Sequence, residues 1–219
     1  MSSTPQHWRI ETDTDRIAWL IFDLHGSSTN TLGQAPMREL NDRLAEIEAT
    51  RPRAVVLRSA KDGGFVAGAD ITEFSGLTDL EQAYRLVRSG QQVFDRLEAL
   101  PMPTVAAIHG FALGGGLELA LACDYRVGAD DGKLNLGLPE VMLGVHPGFG
   151  GTVRTPRLIG APAALDLMLT GKSLRAAEAL KLGLVDRLVP RDKLAEAARA
   201  IALAAPAPRR PPFAKRVLA

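Results

Sequence analysis

The stretch from Ile108 to Asp124, IHGFALGGGLELALACD, restricts the fold of this chain more than any other. Three consecutive glycines, Gly114 to Gly116, open a helix whose following residues are apolar except for Glu118. A helix apolar on nearly every side has to be enclosed by other elements. Its first turn leaves amide N–H groups without intrahelical partners, at the positive end of the helix dipole. Glycine at that turn lets a ligand approach bare backbone. The start of this helix is therefore a pocket for developing negative charge. Glu118 sits beside it, and an ionised carboxylate in apolar surroundings is costly unless partnered.

The rest of the chain supplies the enclosing layers. Short apolar or β-branched runs at 8–11, 17–22, 54–59, 104–108, 125–128, 133–136 and 184–189 read as strands. Between them, 36–49 and 79–100 carry the three-and-four spacing of amphipathic helices. Pro36 opens the first of these, and Pro101 and Pro103 close the second. Further helices are expected at 152–159, at 162–169, at 174–182 with Ser173 as N-cap, and from Asp192 to about residue 204. Strands alternating with helices imply an α/β class. Residues 1–204 are expected to form one domain. The proline-rich 205–219 is expected to be a linker or a truncated C-terminal segment.

Several chemistries are excluded. The chain has one cysteine, Cys123, so it has no internal disulfide and no multi-cysteine metal site. Cys123 lies in the apolar helix and reads as a small buried filler. No strand is followed by the dinucleotide glycine fingerprint. Gly171-Lys172-Ser173 resembles the end of a phosphate loop, but Asp166 occupies the required glycine position. There is no Gly-x-Ser-x-Gly elbow, no His-Glu-x-x-His, and the four histidines are scattered, so no metal site is expected. A net charge of +1 argues against nucleic acid as a partner, and no apolar run reaches the length of a membrane span. Without a recognisable signal peptide at its start, the chain is expected to be cytoplasmic.

Two carboxylates in glycine-rich surroundings remain, Glu118 and Glu140. The plain alternative for Glu118 is a buried pairing with an arginine. For Glu140 it is a solvent-facing carboxylate complementing a helix dipole. Together with the glycine-rich loops 61–71 and 137–151, the two favour acid–base catalysis.

Three blocks then resemble one family. They are Gly64 to Ile71 (GFVAGADI), His109 to Glu118 (HGFALGGGLE), and Leu138 to Gly144 (LPEVMLG) with Pro147 to Thr152 (PGFGGT). The stretch Ala179 to Asp186 (ALKLGLVD) is a weaker fourth. The chain resembles the crotonase superfamily, specifically enoyl-CoA hydratases. Its wording is most similar to the N-terminal hydratase domain of bifunctional fatty-acid oxidation alpha subunits, which a 3-hydroxyacyl-CoA dehydrogenase domain follows.

The resemblance implies a spiral of strand-strand-helix units, with two near-perpendicular sheets ringed by helices. It implies hydration of a 2-trans-enoyl-CoA in β-oxidation, with Δ3-Δ2 enoyl-CoA isomerisation or non-catalytic acyl-CoA binding as alternatives. By the same resemblance, Glu118 and Glu140 are catalytic, and the amides of Ala69 and Gly115 form the oxyanion hole. Ala67, Gly68, Asp70, Ile71, Gly114, Pro139 and Gly148 would contact substrate. No cofactor is implied beyond the CoA of the thioester. The implied partners are the acyl-CoA and, in a full-length protein, a fused dehydrogenase domain and a thiolase subunit, or a homotrimer as in stand-alone members. The alternative reading of Asp70 is a cap of its own loop by an Asx turn.

Overall fold

The structure is a computed structural model that describes residues 6–73 and 79–205. Its main sheet has six strands in the order β1 (Trp8–Thr12), β2 (Ile17–Phe22), β3 (Ala54–Ser59), β4 (Thr104–Ile108), β6 (Tyr125–Ala129) and β9 (Arg187–Val189). β1 is antiparallel to β2, and every later pairing is parallel. A second sheet joins β5 (Phe111–Leu113), β7 (Asn135–Gly137) and β8 (Ser173–Arg175).

The parallel strands read as continuous apolar runs because both faces are covered. Side chains alternate between the faces. Leu20, Phe22, Val55, Leu57, Ala106 and Ile108 pack toward α1 (Gln34–Thr50), α2 (Leu80–Glu98) and α3 (Gly115–Leu121). Ile17, Val56, Val105, Ala107 and Val127 pack toward α7 (Leu194–Ala204), which presents Leu194, Ala197, Ala198 and Ala202. α3 is buried along its whole length. Two helices, α4 (Gly151–Ile159) and α5 (Ala161–Thr170), pack against each other, and α4 also packs on α3. Among the described residues, no helix is long and apolar enough to cross a membrane.

Several expectations are corrected. The chain does not run straight from β4 into the glycine helix. The three residues of β5 intervene and start the second sheet. Ser173 does not cap a helix. It pairs with Gly137 in β8, and its neighbour Leu174 is buried opposite Leu136, so that α6 (Ala176–Leu182) starts only after Arg175. Asp192 lies within a 3-10 turn, Arg191–Lys193, rather than capping α7. Asp79 is the N-cap of α2, its side chain accepting from the Glu81 amide, and not its first residue. Of the expected tail, 205–219, all but Ala205 lies outside the described residues.

Asn30 ties the loop after β2 to the core. It is buried, and its Nδ2 donates to Phe22 O, Ser59 Oγ and Phe65 O, while its Oδ1 accepts from Leu24 N at 2.8 Å. No aliphatic side chain can serve these groups. Asn30→Leu is expected to cost about 3 kcal/mol, since it leaves buried polar groups without partners. Urea denaturation measures this, and a loss under about 1 kcal/mol would contradict the assignment.

Candidate active site

The loop after β3 runs alongside β5. Val66 bridges Ala112, and the Val66 carbonyl accepts from Leu113 N. Farther on, Ala69 bridges Leu32 in parallel fashion, through Leu32 N to Gly68 O and Asp70 N to Leu32 O. This pattern leaves the Ala69 N–H out of the ladder. Gly115 is the first residue of α3, so its N–H has no intrahelical acceptor. Neither amide donates to an acceptor among the described residues. The two lie side by side: a Cβ placed on Gly115 would stand 3.4 Å from Ala69 N.

The glycines here are required by geometry. Gly114 caps α3 at φ +50°, ψ −128°, a region that only glycine adopts readily. Its N–H donates to Gly137 O, which ties the helix start to the second sheet. A Cβ on Gly114 would lie 2.9 Å from Glu140 Oε1, so that carboxylate sits directly over the helix entrance. Gly116 presses against the Val66 main chain, where a Cβ would stand 2.8 Å from the carbonyl carbon and closer still to its oxygen.

Glu118 is 1% exposed. Its Oε1 accepts from Phe149 N at 2.8 Å and from Gly151 N at 2.7 Å. Gly151 opens α4, so Glu118 caps a second helix N-terminus. Burial pushes the Glu118 carboxyl up to about 7, assisted by the charge of Glu140. The amides of Gly151 and Phe149 and the Arg154 guanidinium oppose that rise.

Glu140 lies in the first turn of a 3-10 helix, Pro139–Leu143, opened by Pro139. It is half-buried, and burial raises its carboxyl above the ordinary value, against its own amide and the charge of His146. Its Oε2 is buried without a hydrogen-bond partner among the described residues. Two carboxyls that each hold a proton more tightly than usual, Glu118 partly because of the charge of Glu140, therefore adjoin two unengaged amides.

A groove of about 710 Å³ opens beside Gly115. α1 and α2 form its walls through Met37, Leu86, Gly90 and Val93, and Leu32 and Phe149 form its inner end. Both inner residues stand within 3.5 Å of the place a Gly115 Cβ would occupy. Phe149 packs edge-on against Phe94 at 5.6 Å and lies so close over Gly90 that no side chain fits there.

Not every expected residue joins this constellation. Gly68 does: at φ +128°, its Cβ position lies 3.9 Å from Gly115 N. Ala67 donates its N–H to Asn30 O and lies in the loop leading there. Asp70 spends its Oδ1 on Thr72 N and Oγ1, the Asx-turn arrangement. Ile71 is 59% exposed at the start of a 3-10 turn. Gly148 faces α2, accepting from Gln91 Nε2. Met142, within the matched block at 138–144, lies away from this constellation. It is 74% exposed on the outer side of the 3-10 turn, because so short a turn points Glu140 inward and Val141 to Leu143 outward.

Sequence reasoning missed the two amide donors to Glu118, and the arginine it offered as an alternative partner, Arg154, bonds the Phe149 carbonyl rather than the carboxylate. The signal was present: Gly150-Gly151 before a helix repeats the pattern of Gly114 to Gly116. Among the described residues, no group of three or more His, Cys, Asp or Glu is arranged to hold a metal ion.

Comparison with known proteins places this geometry in context. The family described as Enoyl-CoA hydratase/isomerase matches residues 21–213. The fatty acid oxidation complex subunit alpha of Aliivibrio fischeri is 50% identical over 193 residues, covering 87% of this chain and 28% of that protein. The corresponding subunit of Shewanella baltica is 51% identical over 191 residues, covering 87% and 27%. The chain thus spans somewhat over a quarter of the length of these curated relatives. An enoyl-CoA hydratase structure from Bacillus anthracis superposes with a TM-score of 0.84 at 38% identity, covering 93% of this chain and 78% of that one.

Proposed function

The chain belongs to the enoyl-CoA hydratase/isomerase family, and from that premise we propose that it adds water across the 2,3 double bond of a 2-trans-enoyl-CoA to yield a 3-hydroxyacyl-CoA. The observation that carries this reading is the pairing of two proton-retaining carboxyls with two unengaged amides at one helix entrance. Hydration needs each part. Glu118 and Glu140 hold a water between them. Its oxygen bonds to C3 as one carboxylate takes its proton, and C2 receives a proton from the pair. The electron pair of the double bond passes through the thioester oxygen, where Ala69 and Gly115 donate to the developing charge. CoA is part of the substrate, and these steps call for no other group.

Gly68, Ala67, Asp70 and Ile71 are proposed to flank the CoA portion, Gly114 and Pro139 the thioester end, and Gly148 the acyl chain. The groove between α1 and α2 is the proposed acyl-chain path. By extension from its relatives, the domain would act in fatty-acid oxidation within a longer alpha subunit that also carries a dehydrogenase domain and meets a thiolase subunit, in the cytoplasm. Residues 1–204 are the proposed catalytic domain.

A coupled pair titrates as one unit. The competent state holds a single proton, so activity falls when acid protonates both carboxyls and when base strips both. With Glu118 at about 7 in the free protein, the alkaline limb of kcat/KM is expected near neutrality. Initial rates with crotonyl-CoA from about pH 5 to 9 test this, and a profile flat over that range would contradict the shared proton. Conversion of a 3-enoyl-CoA without hydration of crotonyl-CoA would instead identify an isomerase.

A further inference from the structure

We propose that Arg154 is a positioning residue, holding the Phe149 segment in the orientation that presents its amide to Glu118. The inference rests on the reading of Glu118 as half of the proton-transfer pair.

Arg154 lies on α4 and is only 7% exposed. Its Nη1 donates to Phe149 O at 2.9 Å. Its Nε donates to Glu98 Oε2 at 2.9 Å, and its Nη2 reaches Asp95 Oδ1 at 2.8 Å, both on α2. The peptide before Phe149 is gripped at both ends. Its carbonyl, Gly148 O, accepts from Gln91 Nε2, and its N–H donates to Glu118. The peptide after Phe149 is held through its carbonyl by Arg154 alone among the described side chains. A buried guanidinium spent on one loop carbonyl is costly unless paired, and Asp95 and Glu98 supply the pairing.

The same arrangement places one positive charge behind Glu118. The charged groups facing Glu118 are Glu140 from the 3-10 turn and Arg154 from α4, the latter partly neutralised by Asp95 and Glu98 from α2; His146 acts on Glu140. Cys123, in the turn after α3, is pushed up to about 12 by burial and stays neutral. Arg154 favours the ionised form of Glu118 both by its charge and through the amide it orients.

Two kinds of variant then act in opposite directions. Arg154→Met is expected to move the alkaline limb of kcat/KM up by about one pH unit and to lower kcat about tenfold, with KM changed less. Arg154→Lys, which keeps the charge but loses the fork, falls between Met and wild type. Asp95→Asn with Glu98→Gln unmasks the guanidinium and moves the limb down. A role confined to stability would not shift the limb in opposite directions.

The experiment measures kcat/KM against pH for each variant with crotonyl-CoA, and follows Glu118 directly by NMR of 13C-glutamate-labelled protein, assigned with Glu118→Gln. Opposite displacements of the Glu118 titration support the proposal. An Arg154→Met protein that folds and keeps the wild-type titration overturns it, as do displacements of one sign. If Arg154→Met fails to fold, the Asp95→Asn/Glu98→Gln protein decides, and an unmoved Glu118 overturns the proposal. The NMR arm stands apart from catalysis: were Glu118→Gln fully active, the hydratase reading would fail while the positioning of Glu118 was still measured.

Discussion

Glu118→Gln and Glu140→Gln are each expected to lower kcat for crotonyl-CoA hydration by roughly 10²–10⁴ in a protein that stays folded. Glutamine keeps the size of the side chain and removes the proton-carrying oxygen. At position 118 its carbonyl oxygen can still accept from Phe149 N and Gly151 N, so the loop is retained. At position 140 the buried, unpartnered Oε2 becomes an NH₂ that takes no proton from water. Rates within a few-fold of wild type for both variants would refute the two-carboxyl scheme.

The Glu118 substitution carries an opposite consequence for stability. Its carboxyl titrates at an ordinary 4.5 when unfolded and at about 7 when folded, chiefly because of burial. Between those values the folded protein holds a proton that the unfolded chain has released. The contribution is intact below 4.5 and is lost as pH rises through 7. Above that, folding carries the cost of a buried anion, on the order of 3 kcal/mol. Glu118→Gln is therefore expected to be more stable than wild type at alkaline pH and similar to it in acid. Urea midpoints at both pH extremes measure this. An inactive variant that gains stability is the behaviour of a group kept for chemistry.

Gly115→Ala and Gly116→Ala, one residue apart, are expected to fail in different ways. A Cβ on Gly116 would stand 2.8 Å from the Val66 carbonyl carbon and Cβ. Main chain is in the way, and moving it drags the loop that carries Ala69. Gly116→Ala is expected to cost about 3 kcal/mol of stability, with activity lost as a result. A Cβ on Gly115 meets its neighbours at 3.3 Å or more, on the Phe149 ring and Ala69 N, which slight relaxation accommodates. That protein folds, but its new methyl group stands between the two proposed donors. kcat/KM is expected to drop roughly 10²–10³-fold, the scale of losing one oxyanion donor. Thermal unfolding beside kinetics separates the cases. An active Gly115→Ala would remove Gly115 from the site.

The parts legible in the sequence are those whose residue types carry their own constraint. A triple glycine before an apolar helix allows few conformations, and Glu118 stands out there because nothing around it is polar. Glu140 was legible as a second carboxylate in a glycine-rich loop, although a helical turn after Pro139 also allowed it to face solvent. The strands of the main sheet declare themselves because both faces need apolar residues. β5 and β8 do not: β5 lies inside the stretch that reads as the approach to the glycine helix, and Ser173 resembles a cap until Gly137 appears opposite it. The partners of Glu118 were hidden for a different reason. Two are backbone amides, which any residue possesses, and Arg154 bonds the Phe149 carbonyl five residues back while its charge is matched by Asp95 and Glu98 only once the fold brings α2 beside α4.

The most direct measurement incubates the protein with crotonyl-CoA in ¹⁸O-labelled water and weighs the product by mass spectrometry. The account predicts 3-hydroxybutyryl-CoA carrying one heavy oxygen at C3, formed by the wild type and suppressed in both glutamine variants. Crotonyl-CoA that binds and returns unchanged, or product formed equally well without Glu118 and Glu140, would contradict it.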